Sequence, residues 1–283
     1  MTPQQYCRDK AAPPGSTLRY ALLFLTNTQR DDLCALHALR ADILATATPL
    51  TDPIVARARL QWWRDELERL MDGKAQHPAA RAVSAARRRH DLPREQLLEL
   101  VDGVGMLFDN DGGFATFKDL GLYAYRTSAV LELMSLEILG YADRHSLKCA
   151  HELGVALELM RIIADVGHDL RQGRILLPRD DLLRHGIDLR TVATSPPAPA
   201  FVALMREQLT RANDYAARAV KLLPDVDRRP LTPALIRIAI AAAVLGEIER
   251  SGFDVLRQRI DLPPLRKLWI AWRTRGRVPQ RLR

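Results

Sequence analysis

The chain has 283 residues, of which 47% are hydrophobic and 27% charged, and 42 Lys and Arg against 34 Asp and Glu leave a net charge of +8. That apolar share, spread along the whole length, can bury a core, so general disorder is excluded. Only 15 glycines, with Leu, Ala, Arg and Glu dominating, argue against a sandwich, a barrel or a glycine-looped nucleotide fold and for helices.

In chain order, Met1 to Pro14 is polar and has no apolar signal core. Helical periodicity then predicts helices over 16–26, 29–46, 53–72, 78–90, 94–108, 116–138, 143–171, 199–222, 231–250 and 253–259. Asp52-Pro53 opens one of these and Leu92-Pro93-Arg94-Glu95 another. The stretch from Gly173 to Leu189 reads as an ordered loop, and Ser195-Pro196-Pro197-Ala198-Pro199 as a surface linker. No segment has a strand period and none repeats, so one all-α domain over 1–283 is expected. Cys7, Cys34 and Cys149 are far apart without CxxC spacing, which suggests neither a disulfide framework nor a zinc site and places the chain in a reducing cytoplasm. No apolar run approaches the roughly 18 residues that span a bilayer.

Chemistry concentrates in Leu157–Pro178. On a helix, Asp165 and Asp169 lie one turn apart and share a face with Glu158 and Arg161. Such a pair is either a solvated, ion-paired face or a seat for a hard cation such as Mg²⁺ that bridges to phosphate. Arg171 and Arg174 follow at the helix end. Their forks match phosphate oxygens, or they simply complement the negative end of the helix dipole.

The run from Glu158, ELMRIIADVGHDLRQGRILLP, resembles the second aspartate-rich motif of the squalene/phytoene synthase family, approximately QLTNIxRDVGEDxxRGRxYLP. Arg59-Leu60-Gln61-Trp62-Trp63-Arg64-Asp65-Glu66-Leu67, His77-Pro78, Tyr123-Ala124-Tyr125-Arg126 and Pro264-Leu265-Arg266-Lys267-Leu268-Trp269 are also similar to its bacterial presqualene diphosphate synthase branch. The resemblance implies a helical isoprenoid synthase fold around a central cavity, in which two farnesyl or related prenyl diphosphates are joined head to head. It implies Mg²⁺ at Asp165 and Asp169, substrate or diphosphate contacts from Arg161, Arg171, Arg174 and Tyr123, and NADPH as a further reactant if the product is squalene.

Two departures qualify that expectation. The family's first motif, DDxxD, should fall near His37–Pro49, where its aspartates land on Leu44, Ala45 and Thr48, with Asp42 the one carboxylate nearby. In the second motif the family's Asn is Arg161, whose guanidinium, one turn before Asp165, can occupy the space of a metal. Loss of a single electrostatic donor of this kind costs about 10²–10³ in rate. The alternative is therefore a catalytically degenerate member of the fold, acting as a partner or assembly factor, and an intact paralogous synthase is an expected partner of either. The stretch Thr127-Ser128-Ala129-Val130 replaces small family residues and points to a narrower cavity.

His168 and His185 flank the motif as acid–base candidates or solvated side chains, and Trp62-Trp63 either lines a pocket or anchors packing. From about 265 to the end the chain carries seven cations, Arg266, Lys267, Arg273, Arg275, Arg277, Arg281 and Arg283, no acid, and Trp269 and Trp272. An anionic membrane surface at the inner face is favoured over nucleic acid as the tail's partner, a solvated tail being the other reading.

Overall fold

Helix starts follow local capping chemistry. Thr2, Ser16 and Thr26 accept hydrogen bonds from the N–H groups of Gln5, Arg19 and Gln29, and so begin α1 (Pro3–Ala11), α2 (Thr17–Ala21) and α3 (Asn27–Leu44). A computed structural model describes residues 1–46, 53–109, 113–189 and 197–276. After α3 come α4 (Pro53–Met71), α5 (Pro78–Arg87), α6 (Arg94–Asp109) and α7 (Phe117–Ala124). A π turn (Tyr125–Ala129) leads directly into α8 (Val130–Leu139), followed by α9 (His145–Arg171) and α10 (Arg179–Arg184). The chain continues through α11 (Pro199–Leu222), a 3-10 turn (Asp225–Asp227), α12 (Thr232–Arg250) and α13 (Pro264–Gly276). Among the described residues there is no strand, only an isolated parallel bridge between Gly113 and Ile175. The all-α expectation holds.

The differences from the sequence reading lie at the chain ends and at one bend. The polar N-terminus is helical because Cys7 and Tyr6 give it one apolar edge, which packs on α3 and α5. The stretch 16–26 yields only α2. Beyond it the backbone turns, and Arg30 donates to the carbonyls of Leu22 and Leu25. The 253–259 segment forms turns instead of a helix, with Phe253 in the left-handed region at φ 61°. The basic tail is a helix, α13, through Gly276. The loop from Gly173 contains α10, and the linker expected at 195–199 lies partly outside the described residues.

Helix α9 is the axis of the fold. At 27 residues it runs about 40 Å, and it packs against α7, α8, α11, α12 and the π turn. Gly154 permits the closest of these approaches, since a Cβ there would stand 2.3 Å from the Cα of Ala129. The π turn forms where the Thr127 hydroxyl donates to the Tyr123 carbonyl at 2.8 Å, drawing the helix out of its regular ladder. Such turns recur at functional positions, and this one leaves the Thr127 carbonyl to accept from Arg40 on α3.

Candidate active site

The polar end of α9 gathers charges from four parts of the chain. Glu158, buried, accepts from Arg161 Nε at 2.8 Å and from Arg40 Nη2 at 2.7 Å. Arg161 Nη1 reaches Asp169 Oδ2 at 3.2 Å and lies 3.8 Å from Asp165 Oδ2. The other oxygen of buried Asp169 accepts from Arg174 Nη2 at 2.9 Å, and Arg259 Nε stands 3.5 Å from Asp165 Oδ1. The helical register carries four of these groups, Glu158, Arg161, Asp165 and Asp169, on one face of α9. Arg174 is brought back by the turn after the helix, where its N–H donates to the Asp169 carbonyl.

Burial penalises the charges of Glu158 and Arg161, and their pairing overcomes it. Desolvation alone would raise the Glu158 carboxyl, but Arg161 and Arg40 hold it below its ordinary value. Desolvation alone would lower Arg161, yet Glu158 and Asp169 hold its guanidinium firmly protonated. Tyr123 is buried against Phe114 and its phenol is pushed up to about 12, first by desolvation and then by Glu158. It stays protonated and can serve only as a neutral hydrogen-bonding group.

Asp165, Asp169, Arg161 and Arg174 thus come together, with Tyr123 in the same electrostatic neighbourhood. Arg171 does not join them: its Nη1 donates to the Leu256 carbonyl at 3.0 Å and pins the 253–256 turns to α9. Around the first-motif region, Leu44 is half-buried and Ala45 exposed, and Thr48 lies outside the described residues. Asp42 is engaged by α1, accepting from Tyr6 at 3.0 Å and pairing with Lys10 at 2.8 Å. His168 is exposed and His185 pairs with Glu207 at 2.9 Å. Trp63 is a core anchor stacked edge-on with His77, whereas Trp62 is exposed.

Sequence reasoning missed Arg40 and Arg259. Arg40 is 118 positions from Glu158, so no spacing could signal their pairing. One turn before Arg40 on α3, His37 joins Leu22, Leu33, Glu132, Leu136 and Arg237 in lining a cavity of about 20 Å³, room for one water. Burial, then Arg237 and Arg40, push His37 well down, so it is neutral there.

Mg²⁺ demands oxygen ligands at about 2.0–2.1 Å in octahedral array. Between Asp165 and Asp169 that position is held by Arg161 Nη1, the remaining oxygens of Asp169 and Glu158 face Arg174 and Arg40, and among the described residues no three His, Cys, Asp or Glu side chains converge. The expected magnesium seat at Asp165 and Asp169 does not fit this donor set, because guanidiniums already satisfy it.

The sequence profile described as squalene/phytoene synthase matches residues 12–266. Phytoene synthase from Mycobacterium bovis is 31% identical over 255 residues, covering 89% of this chain and 83% of the relative. The 15-cis-phytoene synthase of Synechococcus elongatus is 27% identical over 277 residues, covering 93% and 89%. A dehydrosqualene synthase crystal structure superposes with a TM-score of 0.82 at 20% identity, covering 97% of this chain and 95% of that one, which shows a shared fold. The squalene synthase HpnC from Alicyclobacillus acidocaldarius gives 0.72 at 22% identity over 89% and 94%. These relatives are all named as synthases, and none supports the non-catalytic alternative.

Proposed function

Because the chain belongs to the squalene/phytoene synthase family, we propose that it joins two prenyl diphosphates, farnesyl or a near relative, head to head. The observation that carries this reading is the set of guanidiniums of Arg40, Arg161 and Arg174 gathered along the C-terminal half of α9. Departure of diphosphate from an allylic carbon leaves negative charge on the leaving oxygens, and forked N–H donors in a buried setting stabilise that charge. Tyr123 supplies a neutral hydroxyl nearby, and neutral His37 a proton acceptor in the adjoining cavity. The prenyl chain would lie along the leucines of that cavity, which must part to admit it.

The test is to incubate the purified protein with labelled farnesyl or geranylgeranyl diphosphate, with and without NADPH and a paralogous synthase, and to analyse the extracted lipid. A product of doubled carbon count, lost in Arg174→Ala, is expected. No such lipid under any condition overturns the reading. NADPH dependence identifies a squalene-type product.

A second element of the reading is peripheral association with an anionic membrane. Among the described residues no helix is long and apolar enough to cross a bilayer. On α13, however, Leu265, Leu268, Trp269 and Trp272, spaced i, i+3, i+4, i+7, are all exposed, while Lys267, Ile270 and Ala271 face the protein. Arg266, Arg273 and Arg275 flank that apolar stripe.

A further inference from the structure

Resting on the prenyl diphosphate reading, we propose that this site binds its diphosphate without a divalent metal, Arg161 serving as the tethered cation between Asp165 and Asp169. Three observations carry this. First, Arg161 Nη1 is within 4 Å of both carboxylates while its Nε holds Glu158, so one side chain spans all three acids on the helix face. A magnesium ion bridging Asp165 and Asp169 would have to expel it and leave buried Glu158 with a partner fewer, which is strongly unfavourable. Second, four guanidiniums, those of Arg40, Arg161, Arg174 and Arg259, face three carboxylates, so the cluster is cationic before any ion arrives. A site built on unpaired aspartates needs metal to accept an anion; this one does not. Third, α3 brings no acid to the cluster: its sequence has Leu44 and Ala45 at positions where the family's first motif has aspartates, and Asp42 is turned to Lys10 and Tyr6.

In this arrangement Asp165 has an unusual place. It is the least committed of the three acids: among the described residues it is touched only by Arg161 at 3.8 Å and Arg259 at 3.5 Å. An incoming phosphate oxygen competes with it for those two guanidiniums. Removing its charge therefore favours the anion, whereas in a metal-dependent site it would remove a ligand. The two mechanisms demand opposite signs from one substitution.

The experiment measures binding of inorganic pyrophosphate and farnesyl diphosphate to the intact protein by calorimetry and thermal shift, in EDTA and in excess Mg²⁺. The expected result is an affinity that differs by less than about threefold between the two, well under an ordinary coupling between sites. Asp165→Asn should bind pyrophosphate as tightly as the parent or more so. Arg161→Asn, which reopens the space between the aspartates, should make binding depend on Mg²⁺ by about tenfold or more; should that variant fail to fold, the sign of the Asp165→Asn effect decides. Binding that requires Mg²⁺ in the parent, or is lost in Asp165→Asn, overturns metal independence and leaves the prenyl diphosphate reading standing. No binding of either ligand in either buffer overturns both.

Discussion

Gly167 on α9 and Val255 in the turns after α12 approach so closely that a Cβ on the glycine would stand 2.3 Å from the Val255 carbonyl oxygen, with Leu256 O at 2.7 Å. Backbone atoms cannot rotate aside, so Gly167→Ala must push the 251–259 turns away from α9. We expect a loss of about 1–3 kcal/mol, the usual cost of overpacking. The same shift should weaken the Arg171–Leu256 hydrogen bond and withdraw Arg259 from Asp165. Gly246→Ala in α12 is the contrast: its nearest neighbour would be Arg250 Nη2 at 3.6 Å, and better helix propensity should stabilise it by about 0.5–1 kcal/mol. Urea melts of both variants check this, and equal stabilities would refute the packing argument.

What the sequence revealed of this region divides by range. The α9 face was legible because its register is local: Glu158, Arg161, Asp165 and Asp169 follow from helical spacing alone, and so did the prospect of Arg161 standing in a metal's place. Arg40 and Arg259 were not legible, because each reaches the cluster through tertiary packing rather than spacing. Arg171 was misplaced for a related reason. It has the same charge as Arg174 and lies three residues away, but the turn after α9 sends one side chain to Asp169 and the other to a carbonyl. α1 went unread since its apolar edge is too narrow to give a periodic signal, and the helical α13 was hidden by its charge.

Glu158 makes the acid limit of stability a readout of the cluster. Its folded value lies below the ordinary one, about 4.3, so the stability it contributes is fully present above that value and drains away as pH falls through the lower, folded one. Glu158→Gln should cost about 3–5 kcal/mol near neutrality, since it leaves Arg40 and Arg161 with one charge fewer between them in a buried site. The gap between parent and variant in thermal melts should then narrow steadily below about pH 4. A gap that stays constant down to pH 3 would show that the pairing contributes nothing.

Asp227 ties two distant turns together. Its carboxylate, almost fully buried, accepts from the N–H groups of Ala142 and Asp143, each at 2.9 Å, and from the Ser146 hydroxyl at 2.6 Å. It thereby fixes the entry to α9 against the 3-10 turn before α12. Asp227→Ala orphans three donors and should destabilise by roughly 3 kcal/mol or more. Asp227→Asn, which keeps one acceptor oxygen, should lose about half as much. Because the site is at the other end of α9, pyrophosphate affinity of the folded Asp227→Asn protein should match the parent; a large drop in affinity would mean the two ends are coupled.

The outward stripe of α13 gives the membrane reading its sharpest test. Leu265, Leu268, Trp269 and Trp272 are 80%, 41%, 53% and 67% exposed, and none of them is needed by the core, so the double variant Trp269→Ser, Trp272→Ser should melt at the parent temperature. The parent should float with vesicles containing anionic lipid, show a blue-shifted tryptophan emission on binding, and release as salt rises, each cation near the surface contributing about 1 kcal/mol. The double variant should bind at least about tenfold more weakly, since Trp side chains supply most of the apolar insertion. Removing Arg277, Arg281 and Arg283 by ending the chain at Gly276 should weaken binding to anionic vesicles while leaving the emission shift of whatever remains bound, because charge attracts the helix and tryptophan inserts it. Equal flotation of parent and double variant, or equal binding to zwitterionic vesicles, would reject α13 as the contact and leave its exposed stripe without a lipid partner.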